Sequence, residues 1–335
     1  MVLGMSAQTN SKKVKTVQLK TGTEFYYSED TQDSIRIIFT PSGDSLGIKI
    51  YVKDNGSIDF LYSQIHHVEF WGDHTEIIPD GTNENKNNAN DLKKNAEAWR
   101  LEFPRLYQGD ELTFEITYST QDFGITYSLE WDATSRANRW TCYQLHSGNM
   151  VKNVKRNDDF RSDPNIPAEY NVSPSEYKGT GYSKGHLCPS GDRLASREQN
   201  SQTFYMSNMQ PQIQEHNGGV WNTLEGKVRN SWAPSNSQDT LYVVKAATID
   251  PNNIKDYTSS GLIVPKFFYM ALLYYSKSSN SYSALGVWSP HEGGSTTEYI
   301  TIDELERRTG IDFFCNLPDE IEKVVESKID MNKWR

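Results

Sequence analysis

The sequence is short of cysteine, of long apolar runs and of positive charge, and each shortage closes off a class of protein. Its 335 residues hold three cysteines, Cys142, Cys188 and Cys315, far apart and in no C-x-x-C pair or zinc spacing. A small disulfide scaffold and a cysteine zinc site are thereby excluded; three reduced, buried thiols are expected, with one bridge and a leftover thiol as the alternative. No run approaches the ~18–20 apolar residues of a membrane-spanning helix, so no span is expected. No internal repeat is visible, and strand-like and helix-like runs mix without βαβ regularity, which indicates an α+β fold. The formal net charge is −10, at first sight unfavourable for a polyanionic partner. The deficit is uneven. Residues 1–125 carry 12 basic and 19 acidic side chains, which leaves 22 and 25 for residues 126–335. The longer part is close to neutral. That leaves room for a basic groove, because phosphate affinity is a local property.

What is present is aromatic and strand-like. There are 19 tyrosines and 8 tryptophans, and 36% of residues are hydrophobic. Residues 34–39, 47–52, 57–62 and 68–71 are β-type runs, separated by turn residues such as Pro41-Ser42-Gly43 and Asp54-Asn55-Gly56. Trp99, Leu101 and Phe103 alternate with Arg100 and Glu102, and residues 112–118 alternate cleanly. Short alternating strands at this spacing suggest an antiparallel sandwich. Residues 80–95 read as a long, exposed, Asn-rich loop. Val2 to Met5, followed by Ser6-Ala7-Gln8, has the look of a trimmed export signal, so a secreted or periplasmic (cell-envelope) location is expected.

Three segments follow: residues 1–16 as a disordered start or signal remnant, residues 17–122 as an all-β sandwich-like domain, and residues 123–335 as the α+β domain. The boundary is read near residues 119–124. Nothing in the first domain supplies chemistry. Binding an unidentified ligand, spacing and anchoring are the roles open to it. In the second, residues 140–145, 203–206, 241–248, 266–275 and 283–288 read as strands, and residues 220–231 as a helix. Thr301 with Glu304 forms a capping box for a helix that stops at Gly310, and Pro318 opens a last helix.

Candidate chemistry concentrates in residues 182–229. His186 follows Lys184-Gly185 and precedes Leu187-Cys188-Pro189. An imidazole accepts a proton from water near neutral pH, although a lone histidine is more often structural. Asn217, Trp221 and Glu225 recur at i, i+4 and i+8 and share one stripe if the segment is helical from its start. Asn217 and Glu225 offer only oxygen ligands, which suit Mg²⁺. The bland reading is an amphipathic helix with a solvated edge. Arg229, four residues after Glu225, is placed to pair with it or with a phosphate. Phosphodiester hydrolysis needs a base, a cation and positive charge for the developing anion. His186, a metal on Asn217, and Lys184, Arg156 or Arg229 supply that set. Cys188 has no dedicated base and reads as a packing residue.

In order along the chain, Ser183-Lys184-Gly185-His186, Asp192, Ser207-Asn208-Met209-Gln210-Pro211-Gln212, and then Asn217, Trp221, Leu224 and Glu225 resemble the signature of the DNA/RNA non-specific endonucleases. Trp140 with Tyr143, Phe160 with Asp163-Pro164, and Thr309-Gly310 through Leu317-Pro318-Asp319 extend the likeness over about residues 125–335. The resemblance implies a ββα-metal domain with a central, mostly antiparallel sheet. It implies a Mg²⁺-dependent hydrolase of DNA and RNA, with Mn²⁺ or another divalent ion as a substitute and products carrying 5′-phosphates. His186 becomes the general base and Asn217 the direct Mg²⁺ ligand. Glu225 orients a metal-bound water, and Arg229 and a loop arginine stabilise the pentacovalent phosphate. That arginine is assigned to Arg156, with Arg161 in reserve. One departure stands out: the family's Asp-Arg before Gly-His is Ser183-Lys184 here. Lysine keeps the charge but loses the planar two-point grip on phosphate. It is the motive for an alternative, a nuclease-derived binding module without turnover.

Overall fold

A computed structural model describes residues 97–334 apart from Ser295, together with residues 14–19, 24–27, 32–39, 45–53, 56–61, 65–70 and 86–87. The chain divides into two compact units, Met1–Asn83 and Glu84–Arg335. In the smaller unit, β1 (Val14–Leu19) lies between β2 (Glu24–Tyr26) and β6 (Ile65–Phe70). A second sheet places β4 (Ser45–Val52) between β3 (Gln32–Phe39) and β5 (Gly56–Leu61). All four pairings are antiparallel. Ile48 and Ile50 on β4 are both buried, as the two-residue period of a half-covered strand requires. The expected runs at residues 34–39, 47–52, 57–62 and 68–71 fall on these strands over their described residues, residues 62 and 71 lying outside those described.

The larger unit is built on strands β7 (Thr113–Thr120), β8 (Gly124–Asp132), β9 (Ala137–Leu145), β12 (Thr240–Ala247), β15 (Phe267–Ser276), β16 (Ser281–Pro290) and β17 (Glu298–Ile300). They form one antiparallel sheet in the order β17-β16-β15-β12-β9-β8-β7. Two small hairpins stand beside it: β10 (Ser183–His186) with β11 (Met209–Gln212), and β13 (Ile254–Tyr257) with β14 (Ile263–Pro265). The helices are α1 (Arg197–Gln202), α2 (Gln214–His216), α3 (Asn222–Lys227), α4 (Ile302–Thr309) and α5 (Asp319–Glu326).

Both faces of the sheet are covered, which is why its central strands read as almost continuous apolar runs. One face packs Tyr143, Val243, Phe268 and Leu285 against Trp221, Leu224 and Val228. The other packs Trp140, Val244, Tyr269 and Ala284 against Ile302, Leu305, Phe313 and Val325 from α4, α5 and their connection. Each of the larger aliphatic and phenylalanine side chains among these contributes about 1.5–3 kcal/mol. The Thr301 hydroxyl accepts a hydrogen bond from the Glu304 amide at 3.2 Å, and Gly310 closes α4 at φ 68°, as the capping pattern requires.

Three expectations need correction. Residues 119–124 are no domain boundary: β7 and β8 form a hairpin there, in register from Thr113–Asp132 to Thr120–Gly124. A tight turn and a linker share the same Gly and polar composition, and only pairing separates them. Residues 99–103 form turns rather than a strand. Trp99 is exposed, while Arg100 and Glu102 are buried and paired at 2.8 Å. Residues 203–206 are a turn running into a short 3₁₀ segment, Met206–Asn208, and the adjacent Thr203 and Phe204 are both buried, which a strand with one covered face does not allow. Most of residues 80–95 lie outside the described residues. Asn87, which is described, is buried, donating to the Ala98 and Pro104 carbonyls and accepting from the Leu106 amide.

Candidate active site

The β10–β11 hairpin sets His186 opposite Met209 and Lys184 opposite Pro211. Between them Gly185 lies against Gln212: a Cβ at Gly185 would stand 2.8 Å from Gln212 Cβ. Gly185→Ala is therefore expected to cost about 1–3 kcal/mol, read as a lower urea midpoint at unchanged slope. Asn208 clamps the chain after His186. Its Oδ1 accepts from the Cys188 amide at 2.8 Å, and its Nδ2 donates to the Cys188 and Thr203 carbonyls at 2.9 Å. Gln212 Nε2 meets His216 Nδ1 at 2.6 Å, and His216 Nε2 meets Ser289 Oγ at 2.8 Å. This chain of hydrogen bonds ties the hairpin to the central sheet. Asp163 accepts hydrogen bonds from the Tyr118 and Ser207 hydroxyls and so fastens its loop to β7.

The helical stretch after β11 is continuous but irregular. α2 passes into a π turn, Asn217–Trp221, then α3, then a second π turn, Val228–Trp232. Gly219 sits at φ −101°, ψ −108°, outside helical values. A straight stripe through Asn217, Trp221 and Glu225 is thus replaced by a widened, kinked turn, a feature often found at functional sites. Trp221 stacks on His216 at 5.7 Å and fixes the helix to the sheet. Asn217 is half-buried, and among the described residues nothing hydrogen-bonds its side chain.

His186 is 9% exposed. Its ring lies edge-on to Phe204 at 5.0 Å and 5.7 Å from Phe160, and its buried Nε2 has no hydrogen-bond partner among the described residues. Burial, followed by the positive charges of Arg156 and Lys245, lowers its pKa to about 3. The ring is therefore neutral across ordinary pH, with a free lone pair or proton position. Arg156 stands 4.9 Å over the Phe204 ring, and Lys184 Nζ stands 4.9 Å over Phe160. The two cations thus lean on the two aromatic rings that hold His186. Arg156 also pairs with Asp158 at 2.6 Å. Arg161 faces elsewhere, over the Tyr205 ring and paired with Asp159 at 2.9 Å, so the geometry favours Arg156.

The charge pairing differs from the spacing argument. Arg229 Nε contacts Asp192 Oδ1 at 2.5 Å, and Asp192 Oδ2 accepts from the Tyr143 hydroxyl at 2.9 Å. Glu225 pairs at 3.4 Å with Lys245, which is wholly buried on β12 and lies 5.9 Å from the Tyr143 ring and 5.8 Å from Trp221. Burial raises the Glu225 pKa, and Lys245 is the main opposing influence. Lys245 was missed by sequence reasoning, although one sign was visible: it is the single charge in an otherwise apolar or hydroxylated strand. Cys188 is buried and unpaired, and burial pushes its thiol up to about 12, which removes it as a nucleophile. The other two cysteines are also free and buried.

A two-strand hairpin ending in a neutral histidine, followed by a helix bearing an amide and a carboxylate on the same face of a large sheet, defines the ββα-metal class. The sequence pattern described as DNA/RNA non-specific endonuclease matches residues 110–320, and the chain belongs to that family of nucleases, which are hydrolases. The chain is 30% identical over 217 residues to "Nuclease" from Nostoc sp., covering 61% of this chain and 76% of that one. It is 29% identical over 227 residues to "Nuclease EXOG, mitochondrial" from Xenopus laevis, covering 62% of each. In fold it resembles a solved EndoG/EndoGI complex, with a TM-score of 0.50 and 22% identity over 61% of this chain and 88% of the other. It spans about three fifths of the vertebrate EXOG relatives. Those relatives are named mitochondrial, as is human endonuclease G. This overturns the expectation of a secreted or cell-envelope location: relatives named for an intracellular organelle outweigh seven N-terminal residues that only look like an export signal.

Proposed function

We propose that the protein is a Mg²⁺-dependent endonuclease that hydrolyses phosphodiester bonds of both DNA and RNA. The observation that carries this reading is His186, a neutral imidazole with an unpartnered Nε2 between two cation-bearing aromatic rings. The donor set also fits a hard cation. The Asn217 side chain is uncommitted and half-buried, and Glu225 lies two helical turns further on. Asn217 would hold Mg²⁺ directly and Glu225 through water, since Mg²⁺ keeps most of its waters. When bound there, the ion polarises the phosphate and neutralises charge on the leaving oxygen. Mn²⁺ or another divalent ion would substitute.

His186 takes the proton of the attacking water. Lys184 and Arg156 offer charge to the phosphate, and Arg229 does so from a position held by Asp192. Lys245 opposes the rise that burial imposes on the Glu225 carboxyl. These groups address phosphate and metal, not base edges, so cleavage follows little sequence preference. By family resemblance the products carry 5′-phosphates. The chemistry is assigned to the larger unit, and the two small sheets have a non-catalytic role.

The deciding experiment is digestion of supercoiled plasmid and of a folded RNA with Mg²⁺ and with EDTA. Both substrates are expected to be cut only with Mg²⁺, and a chain starting at Glu84 is expected to cut as well. Gel retardation without any cleavage would instead establish the binding-module alternative. The cut is placed at Glu84 because removing residues 1–124 would also remove β7 from the central sheet.

The electrostatics of His186 set a pH expectation. A base must be unprotonated, and a lowered pKa keeps it so into mild acid. The acid limb of kcat/KM, which reports the free enzyme, is expected below the ordinary histidine value of about 6.5. A limb at or above that value, measured at saturating Mg²⁺, would show that His186 is not held as described.

A further inference from the structure

On the opposite face of the central sheet from His186, helices α4 and α5 bring three carboxylates together. One oxygen each from Asp303, Glu306 and Glu326 lies within 4.8 Å of the others. Glu306 and Glu326 also line a cleft of about 340 Å³, with Asp312, Asp319 and Glu322. The burial is graded: Asp303 is exposed, Glu306 half-buried, and Glu326 only 4% exposed. Glu306 Oε1 accepts from the Phe313 amide at 2.7 Å, which fixes it in place. Glu326 Oε1 is buried and has no hydrogen-bond partner among the described residues.

A buried carboxylate oxygen left bare beside two other carboxylates is an expensive arrangement. Burial first, then the neighbouring carboxylates, push Glu306 up to about 8 and Glu326 up to about 10. Lys323 is the one basic residue lining the cleft, and the surrounding acids outnumber it. We propose that Asp303, Glu306 and Glu326 form a structural Ca²⁺ site that clamps α4 to α5. The donors are all carboxylate oxygens, the hard set Ca²⁺ selects, and the exposed Asp303 leaves an entry path and room for water ligands. Ca²⁺ is favoured over Mg²⁺ because three carboxylates from two helices form no octahedron by themselves, and Ca²⁺ tolerates irregular geometry. The site lies in a different core from the catalytic hairpin and does not depend on the nuclease reading.

The test is thermal unfolding of the full chain with EDTA, with CaCl₂ and with MgCl₂. Three variants are compared with wild type: Glu326→Gln, Asp303→Asn and Asn217→Ala. At a hundredfold excess over Kd, Ca²⁺ is expected to raise the melting temperature of wild type by about 5–10 °C. Mg²⁺ is expected to do less. Asn217→Ala should keep the Ca²⁺ shift, whereas Glu326→Gln and Asp303→Asn should lose it. Glu326→Gln keeps shape and is neutral, so it should fold in EDTA. Asp303→Asn is an exposed change and guards against misfolding of the first. The proposal is overturned if wild type shows no Ca²⁺ shift. It is equally overturned if both carboxylate variants keep the full shift, or if Asn217→Ala alone abolishes it.

Discussion

His186→Ala is expected to lower kcat on plasmid DNA by about 10²- to 10⁴-fold, the range over which a positioned general base acts. The buried Nε2 of His186 makes no hydrogen bond among the described residues, so no partner of that nitrogen is orphaned when the ring is removed. Its edge-on contacts with Phe204 and Phe160 fix orientation rather than protonation. Folding should therefore survive the change, with the loss confined to the chemical step and KM little altered. Added imidazole should restore part of the rate by entering the space between the two phenylalanines. Retention of a rate within tenfold of wild type would remove His186 from the mechanism.

Asn217→Ala should be nearly as damaging, for a different reason. Among the described residues the amide carries no hydrogen bond, so no partner there is orphaned when it is removed. What is lost is a hard oxygen ligand at a kinked π turn. A cation that stabilises transition-state charge supplies several kcal/mol, and losing about 4 kcal/mol is about a thousandfold in rate. The expected signature is a fall in kcat together with a steep rise in the Mg²⁺ concentration needed for half-maximal rate. An unchanged Mg²⁺ dependence in a folded variant would place the metal elsewhere. The two variants separate base from metal: only Asn217→Ala should alter the Mg²⁺ curve.

Much of this arrangement was legible from residue order. The candidate stretch 182–229, the helix at 220–231, the Thr301 cap and the four long central strands show in local pattern, because each is set by residue order, periodicity or capping; the pairing of β10 with β11 does not, because residues 187–208 separate the two strands. Gly185 illustrates the link, since its missing side chain is what lets Gln212 pass. The charge partners were not legible. Spacing along a helix put Arg229 beside Glu225, but Asp192 reaches Arg229 from a loop 37 residues earlier, and Lys245 reaches Glu225 from a strand 20 residues later.

Sequence by itself determined the α+β class and the family, and it named the residues proposed for the chemistry. These follow from local spacing, which survives without knowledge of what lies across space. Tertiary structure alone decided that β7 belongs to the large sheet, that Arg156 rather than Arg161 stands by the His186 aromatic cage, that Lys245 holds Glu225, and that three carboxylates meet behind the sheet. Each of these depends on which distant segments share a face. Strand pairing and helix packing settle that, through burial of apolar surface that has no fixed spacing along the chain.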